Sequence, residues 1–339
     1  MTQCLVRELH DQPADWAPPS PSSCGLDVWH TEPALTWIGD FLRAKSSWLE
    51  VSDAMGRAGL RFVVRHLPLG VLLGSAYPYG AIEGDVTCFL RNLEAIRSAL
   101  LRQRIVRLEI PFTGEYLTQF PEPIPPGADG TMGQRLAAVR QVLDLSAFSS
   151  DQDLEKSFEP NLRWALRKSI RSGCKVRAAT LNDVPIVQSL YETTMRAKGA
   201  PVNYGAERFS GIIESLTSRD LGCVYLGTVN DAPAGMAAVI GGANSQHLVQ
   251  VAVPPQWHPT RLGELLIATT IRDALARHKR FFDFMASPIE DEGLIAFKRK
   301  WGGTTEPIHH LVIPAAPLIA QAIDGARWIN RKLAKHHVR

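Results

Sequence analysis

The 339-residue chain is poor in cysteine and has no apolar run able to cross a bilayer. Its five cysteines, Cys4, Cys24, Cys88, Cys174 and Cys223, form no C-x-x-C pair and no zinc-type spacing. That excludes a disulfide-stapled scaffold, and an odd count in a chain this long reads as reduced thiols in a cytoplasmic protein. The least polar long stretch, residues 67–82, is broken by Pro68, Gly70, Gly74, Pro78 and Gly80, so it cannot be a membrane span. Residues 1–10 carry Arg7, Glu8 and His10 with no apolar segment after them, and no signal peptide is expected. No His/Cys/Asp/Glu group has metal-ligand spacing, so neither a metal nor a bound cofactor is expected. The net charge of +3 is too small to imply a nucleic-acid or membrane partner by itself.

What the chain does have is local charge. Between Asn161 and Arg177 there is no acidic residue, while Arg163, Arg167, Lys168, Arg171, Lys175 and Arg177 are all present. Arg163, Arg167 and Arg171 fall four apart, so a helix over this segment aligns them on one face, ending at Gly173. Such a face suits a polyanion; a solvated basic surface is the alternative for any charge run. A second basic segment, Phe297-Lys298-Arg299-Lys300-Trp301-Gly302, lies far downstream.

Taken together, in this order and at this separation, the two segments resemble the Fem-type transferases, which add aminoacyl groups to peptidoglycan precursors. They also resemble the wider double-GNAT acyltransferases associated with cellulose and exopolysaccharide biosynthesis. That pattern runs Asn-x-Arg-Arg-x-Ile-Arg-Lys-Ala-x-Arg-x-Gly and, much later, Phe-Lys-x-x-Phe-Gly. Asn161, Arg163, Arg167, Lys168, Arg171 and Gly173 match the first part; Phe297, Lys298 and Gly302 match the second. Trp164 and Leu166 depart from the usual Arg and Ile, and Trp301 replaces Phe. The resemblance covers the second half well and the first half loosely. It implies an α/β protein of two tandem GNAT-like domains, each a mixed sheet flanked by helices.

Length favours two domains. Residues 121–133 hold Pro121, Pro123, Pro125, Pro126, Gly127, Gly130 and Gly133, a connector that divides residues 1–133 from 134–313, with a basic amphipathic helix over 314–339. In the first half, hydrophobic spacing predicts helices over 37–53 and 88–104 and strands over 60–66, 71–73 and 105–112. In the second it predicts helices over 154–172, 184–198, 208–217 and 262–278. Strands are expected over 139–145, 224–229, 235–240, 248–253 and 281–285. Each half thus feeds a long helix into a strand, beginning at Ile105 and Phe281, an echo of outline without a residue-level repeat.

Acyl transfer to an amine passes through an oxyanion, and a fixed cation beside it lowers the barrier. The resemblance places Lys298 in that region; on the run alone, Arg299 and Lys300 are equal candidates, with Lys300 also suited to steering a phosphate. Asp283, inside an apolar strand, reads either as a base taking a proton from the amine or as a structural acceptor. A GNAT donor loop follows the fourth strand, with glycines whose N–H groups and helix N-terminus hold a pyrophosphate. Here the loop is 253–264, and Pro259 and Arg261 stand where glycines belong, with Gly263 following. Proline removes a donor and neither residue permits glycine's close approach. Coenzyme A is therefore expected to be held weakly, and aminoacyl-tRNA is favoured as donor. Tyr79, in Tyr77-Pro-Tyr-Gly80, resembles an acceptor-lining turn of the double-GNAT relatives and reads equally as an ordinary turn; Tyr204 is a candidate hydroxyl contact.

The expected function is transfer of an aminoacyl or acyl group to an amine of a cell-envelope or secondary-metabolite precursor, phosphorylated or lipid-linked. A lipid-linked acceptor would give the 314–339 helix a role at a membrane surface. Acyl-CoA-dependent N-acylation of a surface-polysaccharide precursor and a non-catalytic double-GNAT binding protein are the alternatives.

Overall fold

The structure is a computed structural model that describes residues 5–9, 28–29, 31–67, 70–80, 82–113, 133–322 and 325. The chain divides into two units, Met1–Ala138 with Pro307–Leu333, and Val139–Glu306 with Ala334–Arg339. Both are α/β, as expected, with a mixed sheet and flanking helices.

In the first unit, β1 (Leu5–Leu9), α1 (Glu32–Leu42), β2 (Ala44–Asp53), β3 (Gly56–His66), β4 (Leu72–Ser75) and β5 (Ile82–Gly84) come first. The helices α2 (Val86–Arg91) and α3 (Leu93–Arg102) lead into β6 (Ile105–Thr113). The strands follow the order β1-β2-β3-β4-β6, with β5 also on β3. β4 and β6 are parallel and the other pairs are antiparallel.

The expected helix over 37–53 is half strand. Arg43 adopts the left-handed conformation (φ 51°) and ends α1, and Trp48, Leu49 and Val51 then pair with both β1 and β3. Sheet pairing on two sides outweighs helix propensity here. The expected helix over 88–104 breaks at Asn92, whose amide bonds Asp53 Oδ2 and the Cys88 carbonyl, both at 2.8 Å.

The second unit opens with the end of β7 (Gly133–Asp144), then α4 (Asp151–Ser157) and α5 (Pro160–Arg171). The sequence reading makes 154–172 one helix; Pro160 lacks an N–H and is tolerated only as the first residue of a new one. Next come β8 (Cys174–Ala178), α6 (Val184–Ala197), α7 (Glu207–Gly211) followed by a π turn, and the hairpin β9 (Gly222–Val229) and β10 (Ala232–Gly241). β11 (Ser245–Ala252), α8 (Leu262–Ala276), β12 (Phe281–Pro288) and α9 (Glu292–Arg299) complete it. Its sheet runs β7-β12-β11-β10-β9-β8. Leu162, Ala165, Leu166 and Ser169 form the buried face of α5, and α8 packs Leu262, Leu265, Leu266 and Ile271 into the core.

The last strand, β13 (Thr304–Pro314), pairs antiparallel with β6 from Ile308 to Pro314, so 307–313 belong with the first unit. The sequence reading groups these residues with the second. Of the connector, 121–132 lie outside the described residues, as do 323–324 and 326–339 of the expected terminal helix. Among the described residues no helix is long and apolar enough to cross a membrane, and no group of His, Cys, Asp or Glu could hold a metal ion.

Candidate functional site

The parallel strands β11 and β12 pair at only three positions, Ser245–Phe281, Gln246–Phe282 and His247–Asp283. Past them lies a cavity of about 590 Å³ lined by Leu248–Val251 on one side and Phe284–Ala286 on the other. Both strands turn at this point. β11 bulges at Val249, where Ala238 faces Gln250 and Val239 faces Leu248. A bulge bends its strand and sharpens the twist. The freed Val249 carbonyl accepts a bond from the buried Arg208 at 3.1 Å. In β12, Met285 has φ 62°, and its N–H donates to Asp283 Oδ1 at 2.6 Å.

Lys298 sits at this split. Its ammonium donates to the carbonyls of Met285 (2.8 Å) and Ala286 (3.3 Å), which β11 no longer pairs. Asp291 caps the N-terminus of α9. Near its other end the fully buried Trp301 packs edge-on against Phe158 at 5.4 Å. So anchored, the helix turns Leu294, Phe297 and Lys298 to the cavity. Burial pushes the Lys298 ammonium down to about 8, against the opposing pull of Asp283 and Asp291. Near neutral pH it is a cation that can give up a proton.

Asp283 is fully buried, with Oδ2 3.0 Å from Arg140 Nη1 and 3.6 Å from His247 Nδ1. Arg140 reaches on to Glu306 at 2.7 Å, and His247 Nε2 lies 2.8 Å from Ser245 Oγ. Burial pushes the Asp283 carboxyl up, but Arg140, His247 and the Met285 N–H outweigh it and hold it at about 2. A carboxylate so firmly ionised and so enclosed is a poor proton acceptor for an amine. The geometry favours the structural reading of Asp283: it fixes the turn at Met285, whose carbonyl receives Lys298.

At its other end the cavity is lined by Val253, His258, Arg261, Gly263 and Glu264. Residues Pro255–Thr260 form a 3-10 turn containing Pro259, and Arg261 follows in the left-handed conformation (φ 63°) as the cap of α8. Its guanidinium is 3.4 Å from Glu264 Oε1. The basic helix α5 lies alongside: Arg261 stands 5.8 Å over the Trp164 ring, and Lys168 5.2 Å from the same ring. Arg167 and Arg171 are exposed, while the half-buried Arg163 donates to the Lys156 carbonyl. Gly173 (φ 73°) ends the segment where a Cβ would stand 2.2 Å from Asn230 Oδ1, a position only glycine tolerates.

The acetyltransferase (GNAT) domain family matches residues 156–299. Those residues are a GNAT domain. No curated protein matches the chain in sequence. Among solved structures, FemX superposes with a TM-score of 0.59 at 13% identity, over 83% of this chain and 90% of that one. The C-terminal domain of a putative lysylphosphatidylglycerol synthetase from Agrobacterium fabrum gives 0.53 at 14%, over 78% and 85%. A tandem GNAT protein from the clavulanic acid biosynthesis pathway gives 0.50 at 14%, over 81% and 84%. At these identities the likeness establishes the fold, which is the tandem GNAT architecture that the two basic motifs imply. The match to an acetyltransferase (GNAT) domain supports acyl transfer as the general chemistry of this unit.

Within the GNAT domain the cavity gathers Lys298, Arg261 and Gly263 from the residues singled out by sequence, and Arg261 links them to Lys168 through Trp164. Lys300 lies just outside, its ammonium 4.6 Å over the Phe297 ring. Tyr204 is a support rather than a cavity wall: Arg208 stacks 3.8 Å over its ring on the way to Val249. Tyr79, in the other unit, is buried at 1% exposure and packs edge-on against Trp29, which makes it a core residue. Arg140, His247 and Arg208 went unnoticed in the sequence. A buried arginine beside alternating apolar residues, as in Val139-Arg140-Gln141-Val142, is the signal that could have found the first.

Proposed function

We propose that the GNAT domain transfers an aminoacyl group from charged tRNA to the amine of a phosphorylated or lipid-linked precursor. The observation that carries this reading is Arg261, which lines the cavity and also stacks on Trp164 of the basic helix. A polyanion held along Arg163, Arg167 and Arg171 would thus have its reactive end at the cavity mouth. In the reaction the amine attacks the aminoacyl ester carbon, and the oxyanion forms within reach of the Lys298 ammonium. Collapse expels the ribose hydroxyl, which takes up the proton lost by the amine, so no enzyme base is required.

Acyl-CoA as donor is the second reading, and one feature favours it. A Cβ on Gly263 would meet only Val253 Cγ2, at 3.7 Å, so the start of α8 is open towards the cavity for a pyrophosphate. Against it stand Pro259, which lacks an N–H, and Glu264, which brings a carboxylate to the same turn. Incubating the protein separately with charged tRNA and with acyl-CoA, in the presence of amine acceptors, decides between them. Deacylation of the tRNA with transfer to the amine is expected; thioester consumption with intact charged tRNA would reverse the assignment.

A further inference from the structure

We propose that Trp164 is the platform on which the donor's adenine stacks, with Lys168 and Arg261 taking the adjoining phosphate. This rests on the transferase reading above and adds a ligand subsite to it.

Trp164 does not serve the core. Its exposure is 46%, whereas Trp29, Trp37, Trp48 and Trp301 are at most 2% exposed, and its helix buries Leu162, Ala165 and Leu166 instead. The Fem-type pattern has an arginine at this place, so the indole is a feature of this chain. Two cations stand over the ring, Lys168 at 5.2 Å and Arg261 at 5.8 Å, contributed by different elements. Arg261 is also a wall of the cavity and the cap of the 15-residue helix α8. An exposed π face flanked by cations, beside a cavity for the reacting group, matches the parts of a nucleotide ester: base, phosphate, acyl end.

An exposed cation–π contact is weaker than a base stacked on an aromatic ring. A base can therefore displace one cation from the indole, and the released side chain is then free to pair with the phosphate on the same nucleotide. Glu264, the carboxylate on the first turn of α8, is already engaged by Arg261. Both candidate donors present adenine, as the terminal adenosine of tRNA or the adenosine of coenzyme A.

Calorimetry with adenosine 5′-monophosphate, and with ribose 5-phosphate as base-free control, tests the subsite without any turnover. Wild type should bind the nucleotide about tenfold more tightly than the sugar phosphate. That preference should vanish in Trp164→Leu and survive in Trp164→Phe. Equal binding of the two ligands by wild type, no binding of either, or an undiminished preference in Trp164→Leu would overturn the proposal. A CCA trinucleotide and coenzyme A, titrated into the same variants, identify the source by which one loses affinity with the indole; loss in neither counts against the platform. Because base binding is read separately from acyl transfer, an inactive protein that still binds adenine through Trp164 refutes only the transferase reading.

Discussion

In the first unit β4 runs parallel to β6 and in the second β11 runs parallel to β12, and the two pairs end differently. In the first unit β4 and β6 pair from Leu72 to Ser75, and the seam stays joined beyond them through Ala76 N–H to Glu109 O (2.9 Å) and Gly80 N–H to Pro111 O (2.6 Å). Glycines allow that closeness: a Cβ at Gly74 would stand 2.9 Å from Leu108 Cδ1, and one at Gly80 2.4 Å from Ile110 Cγ2. In the second unit the corresponding seam stops after His247–Asp283 and gives way to the cavity. The closed seam has spent its backbone groups on pairing. At the open one the Met285 and Ala286 carbonyls accept a buried ammonium, and a buried ionic chain around Asp283 keeps the strand end in place. One plan yields a packed core where pairing continues and a lined cavity where it stops.

Removing the charge that fixes the open seam should have the largest effect on stability. Asp283→Asn takes from the buried Arg140 the carboxylate charge at 3.0 Å, and a loss of about 3 kcal/mol is expected in urea unfolding. It should also move the alkaline limb of the rate profile to lower pH, because the Asp283 charge holds the Lys298 pKa up. An unchanged unfolding midpoint would mean that the ionic chain does not hold the seam. Straining the closed seam tests the other side of the comparison. Gly80→Ala should cost about 2 kcal/mol through the Ile110 clash, with the rate constants of the remaining folded protein unaltered.

The comparison also predicts a pH profile. If the cationic form of Lys298 is the active one, the rate should be level below its pKa of about 8 and fall about tenfold per pH unit above it. A rate that rises through pH 8 would instead make Lys298 a base. The smallest effect belongs to the polyanion track: Arg167→Ala should weaken donor binding by about 1 kcal/mol and lower the salt dependence by about one phosphate contact. Salt titrations of donor affinity measure both.

Much of the architecture was legible because it follows from pattern. The echo between Ile105 and Phe281 marked the β6 and β12 strands of the two seams, and the strands expected over 224–229 and 235–240 are β9 and β10, an antiparallel pair. The two basic motifs named Lys298, and Gly173 and Gly302 do adopt positive φ where the motifs end. What sequence could not give was decided by long-range pairing. Residues 44–53 became a strand because β1 and β3 flank them, and β13 joined the first unit through β6. Asp283 could be placed in a strand but not between Arg140 and His247, which lie 143 and 36 positions away. The role of Trp164 depends on Arg261, almost a hundred residues later, and no local signal connects them.

Single-turnover transfer by Lys298→Met, at saturating donor and amine, addresses the central claim most directly. The account predicts a protein folded as wild type whose rate of transfer from charged tRNA is lower by roughly two to three orders of magnitude, the loss expected for one oxyanion-stabilising donor. Transfer at the wild-type rate, with the chemical step limiting, would contradict it and remove the open seam from the reaction.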